Sequence, residues 1–220
     1  ALYERTQNRF YYQMLTESYL ALERYKDAER LVEKRLKRYP QELSLYVDLG
    51  RVQLAKGDHK KAEKTMSSAI EKLGFDAKQL ADLAQAYQNV NRNDLAVQAY
   101  LFVRQKGKNE FAYIMELATL YERMGEYELM MAEYFNLMDN APGNMGSVQI
   151  ALQKALSETS NPKLAEGLKR TLVARIQQQP NNRQYLEMMI WFSLQQKDFR
   201  FAWQQARAID ARFPQEGEEQ

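Results

Sequence analysis

The sequence repeats itself with a period of 34 residues between residues 9 and 144. The clearest column holds leucine four times, at Leu15, Leu49, Leu83 and Leu117. Five further columns keep the same step, and their members are Tyr12, Tyr46, Leu80 and Ile114; Thr16, Gly50, Ala84 and Ala118; Tyr19, Gln53, Tyr87 and Tyr121; Ala28, Ala62, Ala96 and Met130; and Val32, Met66, Tyr100 and Tyr134. A fixed period of roughly 20–50 residues indicates a small unit that stacks on its own copies, because one copy cannot bury its apolar face alone.

The columns predict a helix, a tight turn and a second helix in each repeat. Leu80, Leu83, Ala84 and Tyr87 are spaced by three and four residues, which is one face of an α-helix. The small residue after each column leucine, together with the alanine column, predicts a close crossing of the two helices. The turns carry Gly57, Asn91-Arg92-Asn93 or Gly125, and Gly or Asn suits a left-handed residue at a helix C-terminus. Asp58 and Asp94 are predicted to cap the second helices.

The 34-residue register divides the chain into repeats. We place four regular repeats at 9–42, 43–76, 77–110 and 111–144, a longer fifth at 145–182 and a sixth at 183–216. The fifth repeat has about four extra residues, which we place between Ser157 and Pro162 because that segment is rich in helix breakers. Pro162 is predicted to begin a helix, capped by Asn161 or Ser160.

The two ends of the chain suggest that it is a segment of a longer protein. Residues 1–8 are predicted to be the end of a preceding repeat helix, since Ala1 lies 34 residues before Arg35 in a helical column. Pro214 repeats Pro180 at the same step, and only an acidic tail, residues 217–220, follows the sixth repeat. Open repeat ends would allow the protein to form oligomers.

The columns resemble those of the tetratricopeptide repeat family. Residues 46–74 (YVDLGRVQLAKGDHKKAEKTMSSAIEKLG) and 114–142 (IMELATLYERMGEYELMMAEYFNLMDNAP) are close fits to its pattern. The resemblance implies an all-α, right-handed superhelical solenoid of about six antiparallel helix hairpins, which binds a protein or peptide. The high content of Tyr and Gln is similar to that of bacterial family members from the cell envelope. This similarity points to a periplasmic or cell-envelope location.

Composition gives little reason to expect an enzyme. The chain has no cysteine and a single histidine, His59, so the usual zinc ligand sets and a thiolate nucleophile are not available. The nine glycines are scattered and form no phosphate-binding loop. With 31 basic against 29 acidic residues, the charge gives no reason to expect nucleic acid as partner, and no apolar run is long enough to span a membrane. We therefore expect a non-catalytic protein without metal or cofactor.

Function is expected in the groove formed by the first helices of successive repeats. By resemblance, the candidate partner-binding residues there are Gln13, Glu17, Asp48, Arg51, Lys78, Asp82, Gln85, Glu116, Arg123 and Trp191. The family's clamp for chaperone tails needs Lys and Asn in the first groove positions. Gln13, Glu17 and Asp48 stand in that region instead, so binding of chaperone tails is not expected.

Asp48, Asp82 and Glu116 share one column and suggest a groove that receives a segment carrying Lys or Arg. The alternative is that Arg51, Lys78 and Arg123 neutralise these carboxylates within the protein. The column tyrosines are expected to pack between helices. Trp191 falls on the groove face, where it would contact a ligand or pack against a further repeat.

Two classes of function remain open. The first is a protein–protein interaction scaffold with a peptide in the groove. The second is a structural, self-associating segment of a larger cell-envelope assembly protein.

Overall fold

The chain folds into helices only, as far as the computed structural model describes it, which is residues 2–159 and 162–213. It divides into two compact units, an N-terminal unit of residues 1–110 and a C-terminal unit of residues 111–220. The N-terminal unit contains α1 (Leu2–Thr6), α2 (Arg9–Ala21), α3 (Tyr25–Arg38), α4 (Ser44–Ala55), α5 (His59–Glu71), α6 (Ala77–Asn89) and α7 (Asn93–Lys106). The C-terminal unit contains α8 (Ile114–Met124), α9 (Tyr127–Asn140), a 3₁₀ turn (Pro142–Asn144), α10 (Met145–Thr159), α11 (Pro162–Gln178), α12 (Arg183–Gln195) and α13 (Phe199–Arg212). None of the helices in these ranges is both long and apolar enough to cross a membrane.

The helices pair as hairpins, as the 34-residue period predicts. In the N-terminal unit the first helices (A helices) are α2, α4 and α6, and each packs on the second helix (B helix) that follows it, α3, α5 or α7. In the C-terminal unit α8 packs on α9 and α12 on α13 in the same way. Each hairpin also touches the next one within its unit, for example through α3 and α4 or through α9 and α11. The prediction of an all-α repeat protein is confirmed.

The columns found by spacing are the core of each hairpin. Ala28, Ala62 and Ala96 are completely buried, which places them at the helix crossings. Gly50 shows why the facing position must be small, because a Cβ atom there would come within 2.5 Å of Cγ of Met66. Most column tyrosines are buried as expected, whereas Tyr19 and Tyr46 are half-buried.

The turn between the two helices contains a residue in the left-handed conformation in repeats 1 to 4 and in repeat 6. The prediction is confirmed for Gly57, Asn91 and Gly125, with φ values of 93°, 57° and 75°. Glu23 and Lys197 occupy the same position of the first and sixth repeats, with φ values of 55° and 59°. After each of these residues the next backbone N–H donates to the carbonyl five residues earlier in the chain, as Asp198 N does to Ser193 O at 2.9 Å. The turn geometry therefore depends on the register and not on having glycine.

The capping prediction for Asp58 and Asp94 is wrong. Asp58 is the N-cap of α5 but accepts no backbone hydrogen bond, because its carboxylate lies 3.3 Å from the ammonium group of Lys56. Asp198 occupies the same repeat position, has the uncharged Gln196 two residues before it, and does accept from Phe201 N. Asp94 lies inside the first turn of α7 and pairs with Arg92 at 2.7 Å. A nearby cation therefore decides whether the aspartate caps the helix.

The fifth repeat places its extra residues in helices. α10 has 15 residues and α11 has 17, against 11 to 14 for the A and B helices of the other repeats. α10 continues to Thr159, so the predicted helix-breaking segment does not begin at Ser157, and Pro162 begins α11 as expected. The predicted caps Ser160 and Asn161, as well as Ala1, Pro214 and the acidic tail 217–220, lie outside the described residues.

Lys197 offers a test of the register argument. A side chain with a Cβ atom is disfavoured in the left-handed conformation, so Lys197→Gly should raise the free energy of unfolding by about 0.5–1 kcal/mol. The midpoint of thermal unfolding should rise by about 2 °C. Lys197→Ala is the matched control, because alanine removes the same charge and chain but keeps Cβ. An equal gain from both variants would show that the backbone conformation is not the cause.

Candidate functional site

The three A helices of the N-terminal unit line a cavity of about 320 Å³. This cavity, which we call the A-helix cavity, contains the predicted groove residues Gln13 and Glu17 of α2 and Asp48 and Arg51 of α4. Its remaining lining residues are Arg9, Tyr12, Thr16, Ser44, Val47, Ala86, Asn89 and Val90. The structure thus brings together four of the ten candidate residues around one enclosed space.

Tyr12 fixes the Asp48 carboxylate inside the A-helix cavity. The Tyr12 hydroxyl donates to Oδ2 of Asp48 at 2.8 Å, across two successive repeats. The ring of Tyr12 is buried and packs against Tyr3, with 5.8 Å between ring centroids. Burial, together with the charge of Asp48, raises the pKa of Tyr12, so the hydroxyl remains a hydrogen-bond donor at neutral pH.

Arg35 holds Tyr12 from the other side. The buried Arg35 guanidinium lies 4.8 Å from the centre of the Tyr12 ring and 4.7 Å from that of Tyr39. It donates to both carboxylate oxygens of Glu42, just before α4, and to the carbonyl of Gln7. These contacts connect the end of α1, the B helix of the first repeat and the start of the second repeat. They fix the wall of the A-helix cavity that carries Asp48.

The charges around Asp48 do not fully compensate for its burial. Burial raises the pKa of Asp48 and is the largest effect, and the charge of Glu17 acts in the same direction. The hydrogen bond from Tyr12 and the positive charges of Arg51 and Arg9 lower the pKa, but the net shift is upward. The ionised form of Asp48 is therefore less well stabilised here than in water.

Arg51 is engaged at the mouth of the A-helix cavity. Its Nη2 lies 2.5 Å from Oε1 of Glu17, which stands 34 residues earlier in the same column. Arg51 thus pairs directly with Glu17, while it acts on Asp48 through its charge alone. Oε2 of Glu17 and Oδ1 of Asp48 accept no hydrogen bond within the described ranges of the chain.

The other candidate residues of α6 lie beside this cavity. Lys78 and Asp82 are exposed and line a smaller cavity of about 210 Å³, which Arg9 also lines. Gln85 donates through Nε2 to Oδ1 of Asn89 at 2.9 Å and so orients a residue that lines the A-helix cavity.

Three candidates belong to the C-terminal unit. Glu116 and Arg123 are exposed on α8, and Trp191 is partly buried on α12. The neighbour of Trp191, Phe192, instead lines a mainly apolar cavity of about 410 Å³ between α11, α12 and α13.

Sequence reasoning missed the second role of Tyr12, which it assigned to the core alone. The ring is indeed part of the core, but the hydroxyl reaches Asp48, 36 residues later. The sequence signal for this contact is a tyrosine that stands one repeat and two residues before an acidic residue of the groove. Arg9 and Ser44 also line the cavity without having been singled out.

Replacing Asp48 by asparagine tests whether the carboxylate is held at a cost to stability. The folded protein holds the proton of Asp48 more tightly than an unfolded chain with the ordinary pKa of 3.8. Stability therefore falls as the pH rises from 3.8 through the raised pKa, and it stays lower at neutral pH. We expect Asp48→Asn to raise the free energy of unfolding near neutral pH and to lose this advantage in acid below the ordinary pKa. Urea unfolding at the two pH values measures both effects.

Asp82→Asn is the matched control, since Asp82 stands in the same column one repeat later and is exposed. It should leave stability unchanged, and an equal gain from both variants would contradict the burial argument. Tyr12→Phe leaves the carboxylate without its donor and should lower stability by about 1–3 kcal/mol.

Part of the chain matches the model of a known protein family. The family model for the tetratricopeptide repeat matches residues 19–87. No curated protein sequence matches the chain significantly. Among solved structures, the chain is similar to YrrB, described as a TPR protein with an unusual peptide-binding site, at 14% identity and a TM-score of 0.35, over 86% of this chain and 95% of that one. It is also similar to a putative kinesin light chain of Podosopora anserina with nearly identical TPR-like repeats, at 17% identity and a TM-score of 0.34, over 85% of this chain and 94% of that one.

The matched segment begins near the end of α2 and ends within α6, so it contains the cavity-lining residues Ser44, Val47, Asp48, Arg51 and Ala86 but none of those from α2. Residues 19–87 are therefore similar to tetratricopeptide repeats, and the structure builds this segment from paired helices.

Proposed function

We propose that this protein is a non-catalytic interaction scaffold that binds a peptide or protein segment along the A helices of its N-terminal unit. The observation that carries the proposal is the A-helix cavity, in which three successive repeats contribute to one space lined mainly by polar side chains. Helical repeat proteins commonly bind partners on the surface formed by equivalent helices of successive repeats. A volume of about 320 Å³ is near the lower end of the range of roughly 300–1,000 Å³ for ligand pockets. It suits one side chain of a longer segment, with the exposed parts of α2, α4 and α6 available for the rest.

Blocking the A-helix cavity tests this proposal. Gln13 is exposed and lines the cavity, so Gln13→Trp adds a large ring at its mouth without touching the core. Peptides are first selected on the wild-type protein from a phage-displayed library of random dodecapeptides. We expect Gln13→Trp to weaken the binding of selected peptides roughly tenfold or more in fluorescence anisotropy, because the ring excludes the bound side chain.

Gln98→Trp is the control for this test. Gln98 is an exposed glutamine on the B helix α7, so the substitution is the same and only the surface differs. Binding should be unchanged in this variant. Selected peptides that bind Gln13→Trp as tightly as the wild type, or the absence of any selected peptide, would refute binding at the A-helix cavity.

A second candidate, self-association within a larger cell-envelope assembly, is favoured by a different observation. Phe199 and Trp203 are 64% and 59% exposed and stand four residues apart on one face of α13. The guanidinium of Arg207 stacks 5.0 Å from the Trp203 ring. Large apolar side chains grouped on an exposed face are typical of contact surfaces.

Sedimentation velocity over a range of concentrations tests self-association. If α13 mediates it, the wild-type protein forms larger species as concentration rises, and the Phe199→Ser, Trp203→Ser double variant stays monomeric. Phe75→Ser in the N-terminal unit is the control, since Phe75 is equally exposed at 65%. A wild-type protein that is monomeric at every concentration excludes this function.

A further inference from the structure

We propose that the C-terminal unit carries a second binding site, in which the cavity between α11, α12 and α13 holds a tyrosine side chain of a bound protein segment. This space of about 410 Å³ has Phe192, Ser193 and Phe201 in its wall, and we call it the serine cavity. It belongs to the other unit from the A-helix cavity, so the inference goes beyond the function proposed above.

The serine cavity lies where the repeat pattern loses an aromatic ring. Ser193 stands four residues before Lys197, the left-handed residue of its turn. Tyr87 stands four residues before Asn91, the left-handed residue of the turn in the third repeat. The two residues therefore occupy the same column, and serine replaces tyrosine in the sixth repeat.

Tyr87 shows what this column does when it holds a ring. Its side chain is completely buried, and its hydroxyl donates to the carbonyl of Met66 in α5 at 2.6 Å. The ring thus fills the space between its own hairpin and the B helix of the preceding repeat. Ser193 is also buried, but its hydroxyl donates to the carbonyl of Met189 in its own helix at 2.7 Å. The space beside the preceding B helix, α11, stays open as the serine cavity.

The lining of the serine cavity suits a phenol. Phe192 and Phe201 contribute an apolar wall, and the exposed Glu166 adds a carboxylate. A carboxylate accepts a hydrogen bond from a phenolic hydroxyl, as Asp48 does from Tyr12. An apolar cavity of about 150 Å³ is enough to bind benzene, so the serine cavity has room for one ring.

An adjoining cavity favours a tyrosine within a protein segment over a free phenol. A second space of about 410 Å³ lies between α10, α11 and α12, with Gln153, Leu156 and Pro162 in its wall. It shares Ala165 and Gln196 with the serine cavity. A single ring occupies the serine cavity alone, whereas a segment that carries the ring can place its next residues in the adjoining space.

Titration with p-cresol, which reproduces the tyrosine side chain, tests the ring site on the full chain. We expect p-cresol to bind the wild-type protein and to raise the midpoint of thermal unfolding by about 3 °C at roughly ten times its dissociation constant. Ser193→Tyr supplies the ring from within the chain, so it should abolish binding in ligand-detected NMR and raise the midpoint without ligand. A wild-type protein that does not bind p-cresol overturns the proposal.

Gln196→Trp keeps this test decisive even if Ser193→Tyr fails to fold. Gln196 is exposed and lines both spaces, so a tryptophan there closes the opening without changing the core. It should weaken p-cresol binding roughly tenfold or more, because the ring excludes the ligand. Gln98→Trp, at an exposed glutamine of α7, is the matched control and should bind p-cresol like the wild type. Equal binding by the two variants would contradict a site in the serine cavity.

Peptides selected by phage display on the Gln13→Trp variant test whether the ring comes from a protein segment. The A-helix cavity is blocked in this variant, so the result does not depend on the function proposed above. We expect tyrosine at one position of the selected dodecapeptides. Replacing it by alanine should weaken binding roughly tenfold or more, and replacing it by phenylalanine roughly fivefold, since the hydroxyl is lost.

Adding Gln196→Trp to the Gln13→Trp variant should weaken binding of these peptides as much as the alanine replacement does. Peptides that lack tyrosine, or that bind the double variant unchanged, would overturn a tyrosine-bearing segment as the occupant of the serine cavity. Failure to select any peptide on Gln13→Trp would overturn it as well and leave the A-helix cavity function intact.

Discussion

The A and B helices of each hairpin cross with almost no space between them, and the rest of the structure depends on that contact. A side chain at Gly50 would collide with Met66, and Ala28, Ala62 and Ala96 have no exposed surface. Protein interiors are packed at the density of organic crystals, so larger residues at the crossing would separate the helices. The spacing of successive A helices follows from these crossings. These closely packed hairpins form the walls of the A-helix cavity.

Tyr12 connects this packing to the candidate site. Its ring belongs to the core, where Tyr3 and Arg35 hold it, and its hydroxyl positions the carboxylate of Asp48. Arg35 in turn binds Glu42 at the entrance to α4, the helix that carries Asp48. The same side chains that stack the first two repeats thus aim the acidic group into the cavity. A change in the packing of repeat 1 would therefore change the position of the Asp48 carboxylate in the cavity.

Periodicity predicted what depends on position within the repeat, and it failed where a contact depends on a particular neighbour. The hairpins, the buried columns and the left-handed turn residues follow from the 34-residue step, because the same backbone geometry recurs. The sequence did not reveal that Asp58 turns to Lys56 while Asp198 caps its helix. The Tyr12 hydroxyl was missed because a column assigns a residue one role, whereas tyrosine has an apolar ring and a polar tip. Gln13, Glu17, Asp48 and Arg51 were predicted to face one groove, and they line one cavity, because the resemblance carries the direction of the A helices as well as their spacing.

The acidic group of Asp48 is not explained by the packing of the hairpins. Its column also holds Met14, Asp82 and Glu116, all of which are exposed, so the fold accepts apolar and charged residues there alike. Only at Asp48 do the neighbouring side chains bury the carboxylate, and there burial disfavours its charge. The fold does not require an acidic residue at this position, and the free protein stabilises its charge poorly. Residues that lower stability without a structural benefit are often found at functional sites. Burial therefore sets Asp48 apart from the other residues of its column, because its carboxylate lies in the A-helix cavity at a cost to the stability of the free protein.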